Sequence, residues 1–222
     1  CYYPMEQFLS RFTDQQICIN HEDYQRAKKH FHAKYVDYLP GVGMDFSRIP
    51  HLSEEEICQK KEELGIPSEK LLLLSSGELI PRKNHETILR ALAQLKDMTQ
   101  IHYLLCGHGK LEKELHQLAK ELGISHMVTF AGYREDMLEI LQTADIFLFP
   151  SYQEGLPMAL LEAMASGLPV ICSDIRGSQD LMGEVLSQTD TAKVCSGGIM
   201  GLGETMEDRI DMVLTLSLIH IS

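Results

Sequence analysis

The stretch Phe149 to Val170 reads FPSYQEGLPMALLEAMASGLPV, and its punctuation decides the fold. Ile146 to Phe149 is a short apolar run that fits a buried strand, and Pro150-Ser151-Tyr152 turns the chain out of it. Pro157 stands at a first helical position, where its missing N–H costs nothing. Met158 to Ser166 then supplies good helix formers with one charge, Glu162, before Gly167 and Pro169 stop the helix. Pro169 to Ser173 is again an apolar run, so the stretch spans one strand–helix–strand unit, a crossover that joins parallel strands.

Two chemical features follow. Glu154 lies in the loop before the helix and Glu162 in its second turn, a Glu-x7-Glu spacing. The backbone N–H groups from Gly155 to Ala159 have no intrahelical partner, and with the helix dipole they favour a phosphate or carboxylate. Gly155 lets such an anion approach closely. Glu162 shares a helical face with Ala159, Ala165 and Ser166, small residues that leave room for a ligand whose hydroxyls could donate to the carboxylate. From spacing alone the two glutamates read equally well as the solvated edge of a core helix and a loop charge.

Outward from this unit the same alternation repeats. Toward the amino terminus the spacing predicts strands at Leu71 to Gly77, Ile101 to Gly107 and Val128 to Ala131, and helices over Asn84 to Leu95 and about Lys110 to Leu122. Ser53 and Glu56 form a capping-box pattern for a helix that Gly65 and Pro67 end. Earlier still, Pro4 to Arg11 and His21 to about Ala33 read as helices, with Asn20 as cap, and Gln15 to Asn20 and Tyr35 to Leu39 as strands. Near-continuous apolar strands between amphipathic helices imply an α/β fold: a Rossmann-like parallel sheet with helices on both faces, preceded by part of a first domain. Pro40-Gly41-Val42-Gly43 is the expected boundary, giving 1–43, 44–182 and 183–222 as the expected segments.

In such sheets ligands bind beyond the carboxyl ends of the strands. Three loops there carry candidates. Gly77-Glu78-Leu79-Ile80-Pro81-Arg82-Lys83-Asn84 places Arg82 and Lys83 beside a capped helix start, suited to a diphosphate. Gly107-His108-Gly109 permits close backbone approach, though alone it is a plain tight turn. The third loop carries Glu154, Gly155 and Leu156.

The Glu-x7-Glu segment resembles the signature of retaining glycosyltransferases of the GT-B, group-one or family-four type. Gly77, Leu79 and Lys83 match that family's Gly-x-Leu-x-x-x-Lys pattern, and Pro-Gly-Val-Gly-x-Asp at 40–45 is similar to its interdomain turn. The resemblance implies that Lys83 binds a donor diphosphate, Glu154 contacts the transferred sugar, the amides of Gly155 and Leu156 hold the distal phosphate, and Glu162 holds the ribose. Where many members have arginine after the first glycine this chain has Glu78, which leaves Arg82 to substitute. It also implies a hexosyltransferase using a nucleotide-sugar, UDP-linked, as co-substrate, a glycan or lipid-linked acceptor, retention of configuration, no metal and no cofactor. No Asp-x-Asp motif occurs here to hold a metal. Other classes remain as readings of the residues: a nucleotide-sugar epimerase on the same fold, or an inactive nucleotide-binding remnant. A glycosidase fits less well, because its two carboxylates must flank one bond at roughly 5 to 9 Å.

Composition narrows the setting. The 222 residues carry a formal net charge of −12, which opposes a nucleic-acid surface, and Arg26, Lys28, Lys29 and Lys34 read as a solvated helix face. The six cysteines show no metal-ligand spacing, and Cys106 and Cys172 fall in strand runs as small core residues. Those cysteines make a reducing cytoplasm the expected setting, with peripheral membrane contact open by resemblance, and no run reaches the about 18 apolar residues of a membrane span. Cys1 in place of an initiating methionine suggests a fragment. Past Met182 the family pattern breaks off. Lys193 to Leu214 resembles part of biotin synthase, with Cys195 at an iron–sulfur ligand position but its partner cysteines absent, so no cluster is expected. Leu216 to Ser222 resembles a translated library adapter, and a foreign tail is expected from a junction between Met182 and Lys193.

Overall fold

The computed structural model describes residues 3–39, 44–175 and 177–181. Contact density divides them into two units. One runs through Met44 and takes up Gln153–Pro157 and the described residues from Ile175; the other holds Asp45–Tyr152 and Met158–Asp174. The 40–43 turn, Cys1, and everything expected beyond Met182, Cys195 included, lie outside the described residues.

In the smaller unit, helix α1 (Tyr3–Leu9) precedes a parallel pair, β1 (Gln15–Cys18) and β2 (Tyr35–Tyr38), joined through α2 (His21–His30). Asn20 caps α2 as expected: its side chain accepts from the Asp23 N–H, while Glu22 and Asp23 at one end and Lys28, Lys29 and His30 at the other oppose the helix dipole favourably. The helix ends three residues before the expected Ala33, because Phe31 is already extended at φ −97° and ψ 162°. Arg26, Lys28 and Lys29 are solvent-exposed, and Arg26 pairs with Glu22 and Asp23 along its own helix. Chain segment 177–181 belongs to this unit too, where Asp180 accepts from the His21 N–H at 2.8 Å.

The larger unit is a five-stranded, wholly parallel sheet. Its strands are β3 (Leu71–Ser76), β4 (Ile101–Cys106), β5 (Val128–Gly132), β6 (Ile146–Phe149) and β7 (Val170–Cys172), in the order β5-β4-β3-β6-β7. Crossovers α4 (His85–Gln94), α5 (Glu112–Glu121), α6 (Met137–Leu141) and α7 (Met158–Ala165) link them, and α3 (Glu54–Glu63) comes before the sheet. The apolar strands read from sequence are these strands, and the capping box at Ser53 and Glu56 is present in both directions.

Burial on both faces explains the near-continuous apolar runs: every residue of β4 is buried, and Leu72, Leu74, Tyr103 and Phe147 are fully enclosed. Each such side chain contributes about 1.5–3 kcal/mol by leaving water. Cys106 is buried at 1% exposure and Cys172 half-buried, as small strand residues. The short helix α6 has no counterpart in the sequence reading, since five residues are too few to display a helical period.

An ionic network fastens α3 to the turn after β5. Arg134 binds Asp136 through Nε and Nη2, at 2.8 and 2.6 Å, and Glu63 at 2.6 Å. Lys60 reaches Asp136 at 2.9 Å and Glu139 at 2.8 Å. These contacts hold the Asp136 carboxyl well below its usual range, the Arg134 hydrogen bonds first among the causes, and raise Lys60 through Glu139 and Asp136.

Candidate functional site

The strand order reverses at β3: the chain steps outward to β4 and β5, then returns to pair β6 on the other side of β3. The loops leaving the carboxyl ends of β3 and β6 meet at this reversal, the usual ligand position in an open α/β sheet. The Gly77–Asn84 loop follows β3, and the Pro150–Tyr152 segment follows β6.

Lys83 lies where the two loops meet. Its stem folds back along Gly77, where a Cβ would lie 3.5 Å from Cδ and Cε, and its Nζ stands 5.4 Å from the centre of the Phe149 ring at the end of β6. Arg82 is exposed, and its carbonyl accepts from the Tyr152 N–H at 2.9 Å. Asn84 does not cap α4 through its side chain, contrary to the capped start expected from sequence. It sits in the left-handed region at φ 54°, donates Nδ2 to the Pro150 carbonyl at 3.1 Å and accepts from Thr87 Oγ1 at 2.8 Å. His85, next along, is buried at 4% exposure; that burial and the neighbouring Lys83 ammonium push its imidazole down to about 4.

The loop after β4 locks against the loop after β3. The Gly77 and Leu79 N–H groups donate to the Cys106 and His108 carbonyls, both at 3.0 Å, and the Leu111 N–H donates to the Leu79 carbonyl at 3.0 Å. A Cβ on Gly107 would lie 1.9 Å from the Gly77 carbonyl oxygen, and one on Gly109 within 2.6 to 2.9 Å of Leu79 backbone atoms. The close approach these glycines permit is thus to neighbouring backbone, and it is this packing that requires them.

Glu162 is half-buried on α7. Burial raises its carboxyl above the usual range, while Arg48, a residue no motif pointed to, acts in the opposite direction. Ser151, buried at 1% exposure, has no hydrogen-bond partner for its hydroxyl among the described residues. In the smaller unit Glu154 is buried at 7% exposure, and Leu156 is half-buried. A Cβ on Gly155 would meet nothing within 4 Å, whereas Gly177 abuts the same segment, its virtual Cβ 2.7 Å from the Gly155 carbonyl oxygen. The helix after Pro157 begins at Met158, one residue later than expected. So Gly77, Arg82, Lys83, Gly107 and Gly109 lie on the two bonded loops after β3 and β4, Glu162 lies on α7, and Glu154, Gly155 and Leu156 belong to the other unit. His85, Arg48 and Ser151 were missed, and Asn84 was read only as a helix cap; for its bond across to Pro150 the signal available was its place directly after Lys83, since asparagine tolerates left-handed backbone.

The sequence model of the family Glycosyl transferases group 1 matches residues 56–188. The chain belongs to the group 1 glycosyl transferases. Among curated relatives of this group 1 domain, it is 34% identical over 183 residues to "Putative glycosyltransferase EpsD" of Bacillus subtilis (strain 168), covering 82% of this chain and 48% of that protein. It is 32% identical over 173 residues to "Lipopolysaccharide glucosyltransferase WaaG" of Escherichia coli (strain K12), covering 76% and 44%. The group 1 chain therefore spans about half the length of the curated relatives it matches. The crystal structure of Anabaena Alr3699/HepE in complex with UDP and glucose superposes with a TM-score of 0.77 at 21% identity, over 96% of this chain and 56% of that one. WaaG superposes with 0.71 at 24% identity, over 91% and 53%. These likenesses place the group 1 domain in the GT-B fold.

Proposed function

We propose that this group 1 chain carries the donor site of a glycosyltransferase that moves a hexosyl group from a nucleotide-sugar, UDP-linked, to a glycan or lipid-linked acceptor with retention of configuration. The observation that carries the reading is the meeting of the loops after β3 and β6 where the strand order reverses, bonded through Asn84–Pro150 and Tyr152–Arg82, with Lys83 between those bonds and its Nζ beside Phe149. Support for the donor comes from HepE, whose structure holds UDP and glucose, and for the acceptor class from WaaG, a lipopolysaccharide glucosyltransferase.

Breaking the anomeric C–O bond leaves negative charge on the departing diphosphate and positive charge at the anomeric carbon. Lys83, with Arg82 beside it, stabilises the first of these. The amides of Gly155 and Leu156, ahead of α7, hold the distal phosphate, with the dipole of that helix behind them. Glu154 accepts from hydroxyls of the sugar, and its negative charge favours the cationic character that develops there. Glu162 accepts from the ribose hydroxyls, and binding there returns part of the stabilisation its carboxylate loses by burial. Gly77, Gly107 and Gly109 shape the loops that carry these groups.

Residues 1–43 are read as the end of an acceptor domain, 44–182 as the donor domain and 183–222 as a foreign tail. In the smaller unit Met5, Phe8, Leu9, Phe12 and Ile17 are exposed around a two-stranded parallel sheet, a class of sheet otherwise covered on both faces. Residues 1–222 are expected to hold nucleotide with little turnover. The proposed setting is the cytoplasm or a membrane surface, and among the described residues no helix is long and apolar enough to cross a membrane. Titration calorimetry with UDP, GDP and ADP tests the reading: UDP binding is expected to exceed the other two. Absence of binding by all three would overturn the donor site.

A further inference from the structure

Asn84 is the one non-glycine residue at positive φ among the described residues. That region is disfavoured for any residue with a Cβ, least so for asparagine, so glycine would meet the local backbone need at lower cost. A Ser, Thr or Asp at an ordinary N-cap would turn its side chain onto the helix N–H groups. The Asn84 amide does neither job: its donor goes to the Pro150 carbonyl on the segment after β6 and its acceptor takes Thr87 Oγ1. A second tie, Tyr152 N–H to the Arg82 carbonyl, runs between the same two segments. The two bonds flank Lys83 on either side.

We infer that Asn84 is a positioning residue for Lys83: by tying the loop after β3 to the segment after β6, it fixes the ammonium beside Phe149, where the diphosphate is proposed to sit. The inference rests on that reading for its link to donor binding, and on the geometry alone for the tie. Asparagine suits the place because it combines tolerance of the left-handed region with an amide donor; aspartate has the tolerance without the donor, and glycine has neither side-chain bond.

The test compares the full chain with Asn84→Gly, Lys83→Ala and the double variant. NMR of the free protein reads the tie without any nucleotide. In Asn84→Gly the Lys83 ε-methylene protons should lose the ring-current shift imposed by Phe149, and the Tyr152 amide should exchange about tenfold faster, the response to losing one net hydrogen bond. Unchanged shift and exchange would overturn the inference whatever the nucleotide does. UDP titration then reads the consequence: affinity should fall about five- to tenfold in Asn84→Gly, and by nothing further in the Lys83→Ala background. Equal losses in both backgrounds would show that Asn84 acts on the fold rather than through Lys83, and would also overturn it. Failure of the unmodified chain to bind UDP would remove the diphosphate reading alone, with the NMR arm still deciding the tie.

Discussion

Gly107→Ala should unfold the site's supporting loop before any chemistry is at issue. The new Cβ would stand 1.9 Å from the Gly77 carbonyl oxygen and 2.9 Å from its carbon. Carbon–oxygen contacts between backbones normally settle at about 3.3–3.6 Å, so one strand end must move by roughly 1.5 Å. That movement strains the two bonds beside it, Gly107 N–H to the Gly132 carbonyl at 2.6 Å and Gly77 N–H to the Cys106 carbonyl at 3.0 Å, each worth about 1 kcal/mol net. The backbone at φ 139° is open to glycine and costs another residue about 1–3 kcal/mol. Overpacking a formed core adds about 1–3 kcal/mol. A total near 4–8 kcal/mol is a large part of the about 5–15 kcal/mol that holds a domain together. In urea melts followed by far-UV circular dichroism, with a slope of about 2 kcal/mol/M, the midpoint should drop by about 2–4 M. A drop below about 0.5 M with the slope unchanged would refute the argument that the two loops are locked at this glycine. Gly155→Ala is the counterpart, since nothing lies within 4 Å of the added methyl: the midpoint should hold while UDP affinity falls at least about tenfold.

Three further outcomes are expected. Glu162 has a raised carboxyl pKa, so UDP affinity should fall with acidification from above the usual glutamate range; Glu162→Gln should lack that part of the pH dependence, read as the difference between the two titration series. His85 is depressed to about 4 from about 6.5 unfolded, so it resists protonation in the folded state and weakens the fold as pH falls between those values, by up to about 3 kcal/mol; His85→Leu should lose this dependence in urea melts at pH 7 and pH 4. Asp136 is depressed by Arg134 and Lys60, so its stabilisation is present above about pH 4 and is lost on acidification through its folded pKa; Asp136→Ala should cost about 1–2 kcal/mol at pH 7 and progressively less in more acidic melts.

The elements of the larger unit were legible because their signals are local. Leu71–Ser76 and Ile101–Cys106 are apolar on both sides, Ser53 and Glu56 satisfy each other within one helical turn, and Gly65 at φ 67° ends that helix in the left-handed region. The helix α6 was not legible, being too short for a period, nor was the early end of α2 at Phe31. Candidate groups were recognised as chemistry at the end of a strand: Lys83 by the glycines and cations around it, Glu154 and Glu162 by their spacing. What each one touches was not, because Phe149, Pro150 and Tyr152 are more than sixty positions from the Lys83 loop that they meet.

By itself the sequence determined an α/β chain of parallel strands and helices, and the residues able to hold a diphosphate, because periodicity, caps and side-chain chemistry act within a few residues. Tertiary structure decided the order β5-β4-β3-β6-β7, the meeting of two loops at the reversal, the backbone-to-backbone reason for Gly107 and Gly109, and the left-handed Asn84 bonded across to Pro150. Those depend on which strand pairs with which, a choice made by burial summed over the whole sheet, and no local stretch carries that sum.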